Sequence, residues 1–170
     1  MIRKIFFFIF LTTFSFCANA SNKIVFIDIN YIIEKSNSGI EITKILKKKR
    51  DIESKKLEAR KNEIKKKEDE FKNKSNILSK EERTKRVESI KKDVENFKKL
   101  KNKLERDFNT KKTEYINSLL KEINAIMIEH IEKNSIDIVV KKENLVTGKK
   151  ELDITKIILD ELNKKKITFK

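Results

Sequence analysis

The 170-residue chain carries 42 basic against 27 acidic residues, a net charge of +15, and has no proline or tryptophan, two glycines, one cysteine and one histidine. That length suits about one domain, and a charged fraction of 41% with periodic apolar positions marks a long helical or coiled-coil protein rather than a compact globule. The same inventory excludes most enzyme chemistry: the lone His130 has no companion for a triad or a metal, there is no glycine-rich phosphate loop, and no acid pair is patterned at a recognisable site.

At the N-terminus Arg3 and Lys4 precede an apolar run over residues 5–16, and Ala18, Asn19 and Ala20 follow it. This order predicts a secretory signal peptide over residues 1–20 with cleavage after Ala20, because the run is short for a membrane span and the small residues form a cleavage site. Bulky Phe14 and Phe16 speak against lipid attachment at Cys17. Cleavage therefore leaves a mature chain with no cysteine and no disulfide.

Residues 23–29 form a short β-branched apolar run, closed by Asp28 and Asn30, and predict a buried strand. Asp28 reads as a turn or helix-capping residue, since no second acid, histidine or nucleophile is patterned with it. One or two helical turns should follow through Ile32 and Ile33, stopping near Gly39.

From 40 to 76 a long helix is expected, with Ile45, Ile52, Leu57, Ile64, Phe71 and Leu78 recurring at near-heptad spacing. Ser79 followed by Glu82 reads as a capping box opening a second helix from 80 to about 133. There Val87, Ile90, Val94, Phe97, Leu104, Phe108 and Tyr115 trace a 3.5-residue stripe, interrupted by Lys101 and Lys111. So narrow a stripe is buried only against another helix, which makes residues 40–115 an antiparallel coiled-coil hairpin with its tip near 75–79. A symmetrical turn pairs residues whose numbers sum to about 155, such as Leu57 with Phe97 and Ile64 with Ile90. Beyond Tyr115 the apolar residues, among them Leu119, Ile123, Ile126 and Ile131, spread over more than one face, so that end enters a packed body.

Residues 136–141 predict a second strand and 145–147 a third, joined as a hairpin by their short connection. A last helix is expected near 155–165, capped by Asp153 or Thr155. The body is thus assembled from residues 21–39 and 116–170, with the whole arm between them. Without Arg3 and Lys4 the mature chain has 40 basic and 27 acidic residues, a net of +13. Between Lys44 and Lys112 alone the counts are 27 and 14, also +13, so the arms hold the excess and the body is neutral.

KIVFIDI at 23–29, LSKEER at 78–83, IDIVVKKENLV at 136–146 and LDIT at 152–155 stand in an order and spacing that resembles the Skp/OmpH family of periplasmic chaperones over essentially the whole mature chain. The sequence departs from that pattern in its lysine- and asparagine-rich arms and at Thr147 and Gly148, where relatives often carry an aromatic residue. The resemblance implies a mostly helical α+β fold, a coiled-coil tentacle projecting from a small β-containing trimerisation body. It implies a homotrimer in the periplasm that holds unfolded outer-membrane proteins without ATP, with no catalytic residue, cofactor or metal. On that reading Lys65, Lys66, Lys67, Phe71, Lys98 and Lys99 are the client-binding candidates on the arm, and Val25, Ile27, Ile123, Ile126, Ile138 and Val140 the trimer-body candidates. Anionic lipid or lipopolysaccharide surfaces are further partners suited to the arm charge. Nucleic acid is not, because the export signal and the lack of an aromatic platform or groove-reading module argue against it. The competing reading is a structural envelope protein whose coiled coil serves as a spacer or scaffold.

Overall fold

The computed structural model describes residues 22–169; the expected signal peptide, Cys17 and the Ala20 cleavage site lie outside the described residues. Strand β1 runs Ile24–Ile27 and is followed directly by the short helix α1, Ile29–Lys35. It is shorter than the apolar run suggests because Asp28 leaves the strand to cap α1, its carboxylate accepting the Tyr31 N–H at 2.9 Å. Ser36 then ends α1 and starts α2, Asn37–Lys74: its N–H donates to the Ile32 carbonyl while its buried hydroxyl accepts from Gly39 N–H at 3.0 Å. One residue thus satisfies orphan groups of two helix ends.

Gly39 lies inside the first turn of α2 and does not precede it. A Cβ there would fall 1.7 Å from the Ile33 carbonyl oxygen, so the glycine serves the close approach of α1 to α2. After the turn at 75–79, helix α3 runs 55 residues, Lys80–Asn134. The capping box at its start is complete: the Ser79 hydroxyl accepts the Glu82 N–H at 3.3 Å and the Glu82 carboxylate accepts the Ser79 N–H at 3.0 Å. The hydroxyl and backbone hydrogen bonds of Ser79 hold the Glu82 carboxyl below the usual glutamate range. Ser135 ends α3 in the left-handed conformation, φ 49°, with its N–H on the Ile131 carbonyl.

Strand β2, Ile138–Lys141, pairs parallel with β1, Ile24 opposite Ile138 and Ile27 opposite Lys141. The entire arm is the crossover between these neighbours. Residues 145–147, expected as a third strand, do not join the sheet. The chain instead tightens into a 3₁₀ turn at Lys142–Asn144, and Val146 stays fully exposed, so this stretch has no alternating apolar face to bury. The third contact to the sheet comes from farther on, where Asp153 makes an isolated parallel bridge to Phe26 after a second 3₁₀ turn, Lys150–Leu152. Gly148 lies against the Phe26 ring, which a Cβ would meet at 2.9 Å.

Helix α4, Thr155–Lys164, closes the body with Ile154, Ile158 and Leu162 buried. A polar clasp explains the LDIT segment before it. Asp28 N–H donates to Thr155 Oγ1 at 2.8 Å, Thr155 N–H donates to Asp153 Oδ1 at 2.9 Å, and the Lys142 ammonium stands 3.9 Å from Asp28 and 3.5 Å from Asp153. Burial raises the Asp153 pKa, but the Thr155 hydrogen bonds and Lys142 outweigh it and leave the group below the ordinary aspartate range. The core comprises Val25, Ile27, Ile32, Ile42, Leu119, Ile123, Ile126, Ile136, Ile154, Ile158 and Leu162, drawn from both ends of the chain.

Candidate functional site: the basic helical arms

Along α2 and α3 the apolar stripe is only partly shielded. Ile64 is the buried seam residue; Leu57, Phe71, Leu78, Val87, Ile90, Val94, Phe97, Leu104 and Phe108 are half-buried, and Ile52 is 59% exposed. Two contacts fix the pairing across the arm: Lys67 Nζ with Asp93 Oδ2 at 2.6 Å, and the Arg50 guanidinium 4.4 Å above the Phe108 ring. Their residue numbers sum to 160 and 158, beyond the expected 155. Leu57 accordingly shares a gap with Lys101 and Leu104, one turn past the expected Phe97. The reason is directional. Helical side chains lean toward their own N-terminus, so in an antiparallel pair the side chains that touch belong to backbone positions displaced C-terminally on both helices.

The expected arm residues lie in one stretch. Lys65, Lys66 and Lys67 are exposed on α2, with Phe71 half-buried one turn away; Lys98 and Lys99 are exposed on α3. Because Lys67 meets Asp93, Lys98 and Lys99 lie five and six residues along α3 from that contact, roughly 8–9 Å at 1.5 Å per residue. That is within about one Debye length at physiological salt, so the clusters act as one field. Lys67 is engaged, and its hydrogen bond holds the Asp93 carboxyl below its ordinary range. Lys65, Lys66, Lys98 and Lys99 have no ion-pair partner among the described residues. The remaining arm pairs link neighbours on one helix, as in Lys103 with Asp107 and Lys85 with Glu81. They leave the excess charge facing solvent.

Sequence reasoning missed a feature near the arm's base. Arg50, Leu57, Lys101, Leu104 and Phe108 line an open gap of about 360 Å³ between the helices, created where Lys101 replaces an apolar seam residue. The cation above Phe108 makes this an amphipathic notch, with apolar walls and charged rims. Its signal was present in the interruption at Lys101, but Arg50 could be assigned to Phe108 only once the register was known.

In the body, Val25, Ile27, Ile123 and Ile126 are buried within the chain's own core. Val140 is half-buried, and Ile138 remains 49% exposed, as do Ile24 at 45% and Leu152 at 37%. Ile24, Ile138 and Leu152, on and beside the sheet, are thus among the apolar side chains that the body leaves exposed, together with Tyr31, Ile128, Val146 and Ile157. His130 is half-buried on α3, where the Asn134 amide donates to its carbonyl at 2.8 Å. No group of histidine, cysteine or acidic side chains suited to a metal ion occurs among the described residues.

A family model described as outer membrane protein (OmpH-like) matches residues 23–162. A crystal structure from Caulobacter crescentus CB15, described as an outer membrane chaperone (OmpH-like), is similar to this chain with a TM-score of 0.79 at 10% identity, covering 85% of this chain and 86% of that one. At that identity the likeness speaks to the fold. No curated protein matches the sequence.

Proposed function

Because the chain belongs to the OmpH-like family, we propose that it is an ATP-independent holdase chaperone, exported to the periplasm by residues 1–20 and cleaved after Ala20. As a homotrimer it encloses unfolded outer-membrane proteins between its arms. The observation that carries this reading is the arm itself. Its seam is left half-open, and its net charge of +13 between Lys44 and Lys112 stands beside a neutral remainder of the mature chain. A spacer needs a filled seam to be stiff. A capture device needs pliable apolar contacts and a long-range field, and the arm has both.

Unfolded barrel strands expose alternating apolar residues that aggregate in water and cannot fold before reaching a bilayer. Half-buried Phe71, Phe97 and Phe108 supply weak local contacts, while the unpaired lysines act on the rate of encounter. Anionic lipid or lipopolysaccharide would meet the same field. The test is light scattering after dilution of a urea-unfolded barrel protein at micromolar concentration, with no nucleotide present. Suppression of aggregation by a stoichiometric amount of trimer is the expected result; aggregation unaffected by it leaves the spacer as the better account.

A further inference from the structure

Residues 165–169 lie beyond the family match, which ends at 162, and beyond the last helix. They run back along α3. Lys165 Nζ reaches Glu122 at 3.1 Å, and at the other end the Phe169 ring meets Tyr115 edge-on, with centroids 5.6 Å apart and planes at 71°. Glu122 and Tyr115 are about 10 Å apart along a helix axis, and four extended residues span about 13 Å, so an extended tail is long enough to make both contacts. Its burial alternates accordingly. Ile167 and Phe169 are half-buried against the core cluster that includes Leu119 and Ile123, while Lys166 and Thr168 are exposed. This is the two-residue period of a β-strand, laid on a helix.

Little holds it there. No backbone hydrogen bond anchors residues 166–169 among the described residues. The Lys165 pair is exposed, with side chains 44% and 37% accessible, and such pairs hold weakly. Lys111 stands 5.7 Å above the Tyr115 ring, so the aromatic seat already has a cation beside it.

We propose that the face of α3 from Tyr115 to Glu122 is a docking groove for an extended segment with apolar residues at every second position, and that the chain's own C-terminus is its resident, displaceable occupant. The partner it fits is a strand of an unfolded outer-membrane barrel, whose alternation the Ile167, Thr168, Phe169 sequence reproduces. This assignment of the partner rests on the holdase reading; the groove and its occupant rest on the contacts above. The tail covers the groove at the junction of arm and body and yields it to a client strand of the same pattern.

Deleting residues 166–170 should open the groove. If the tail is closed about nine-tenths of the time, the intact protein binds a competing peptide roughly tenfold more weakly than the truncated one. The probe is the peptide Ile-Thr-Phe-Thr-Phe-amide, followed by the Tyr115 ring resonances, with Ile-Phe-Phe-Thr-Thr-amide as a control of the same composition. The expected result is a Tyr115 shift at lower peptide concentration in the truncated protein, none with the control, and the same opening in the full-length Phe169→Ala variant. Equal response of intact and truncated protein, or response to both peptides, overturns the inference. So does a truncated chain that no longer folds, because the tail would then be part of the body. The peptide measurement does not depend on chaperone activity. If the light-scattering test fails while the peptides discriminate, the holdase reading falls and the groove stands.

Discussion

Gly39 and Gly148 are the chain's two glycines, and each stands where another group needs the space. At Gly39 that group is backbone, the Ile33 carbonyl, which cannot withdraw without moving α1. At Gly148 it is the edge of the Phe26 ring, which can tilt. Gly39→Ala gains helix propensity of up to about 1 kcal/mol, but the overlap should outweigh it, with overpacking costing about 1–3 kcal/mol or more. Gly148→Ala should cost less. Denaturant unfolding of both variants checks the order; a neutral Gly39→Ala would mean that α1 and α2 separate easily. In sequence both glycines read as chain punctuation, because composition shows where a side chain is missing but not what takes its place. Asp28 was more legible. A carboxylate between a strand and a helix has few other uses, though its tie to Thr155, 127 residues away, could be seen only in the folded chain.

At the level of elements, what depended on local periodicity was readable and what depended on direction or on distant partners was not. The helical stripe from Val87 to Tyr115 and the Ser79 capping box are local. The pairing register came out several residues off because counting through the turn ignores the lean of side chains toward their own N-termini. Residues 145–147 look like a strand because they are apolar and β-branched, yet a 3₁₀ turn precedes them and Val146 is fully exposed, so they carry no face to bury against the sheet. The tail escaped notice because three alternating residues are too few to stand out. For the arms, the separation of charge from seam makes a distinct expectation. Lys65, Lys66, Lys98 and Lys99 are exposed and carry no ion pair among the described residues, so neutralising them with glutamine should leave the fold and oligomeric mass unchanged. Capture of an unfolded barrel protein should slow and lose part of its salt dependence, as stopped-flow mixing at two ionic strengths would register. A capture rate indifferent to these lysines would assign the work to apolar contacts alone.

For the whole molecule the question is which part holds the proposed trimer together. Within one protomer the sheet is two strands wide, and a lone parallel pair has unsatisfied edges and needs cover. Ile24, Ile138 and Leu152 lie at or beside it, 45%, 49% and 37% exposed, while Val25, Ile27, Ile123 and Ile126 are spent on the protomer's own core. The arm also leaves apolar side chains exposed, Ile52 at 59% and Ile77 at 82%, but they stand 25 residues apart on an arm whose other faces are charged. For the proposed trimer, association through the body is the expectation, with the arms left out of the joint. An aspartate at Ile138 would place a charge in that contact without opening a cavity in the protomer, because half of this side chain already faces solvent. Ile138→Asp should therefore yield a folded monomer, with circular dichroism close to the parent and native mass reduced to one chain. By contrast Ile123→Ala, within the core, should cost about 2–5 kcal/mol of folding stability. Removing equal lengths of α2 and α3 around the tip should leave the oligomer whole. Light scattering on these proteins decides the point: if the shortened arms dissociate and Ile138→Asp does not, the coiled coil is the joint and the body only its terminus.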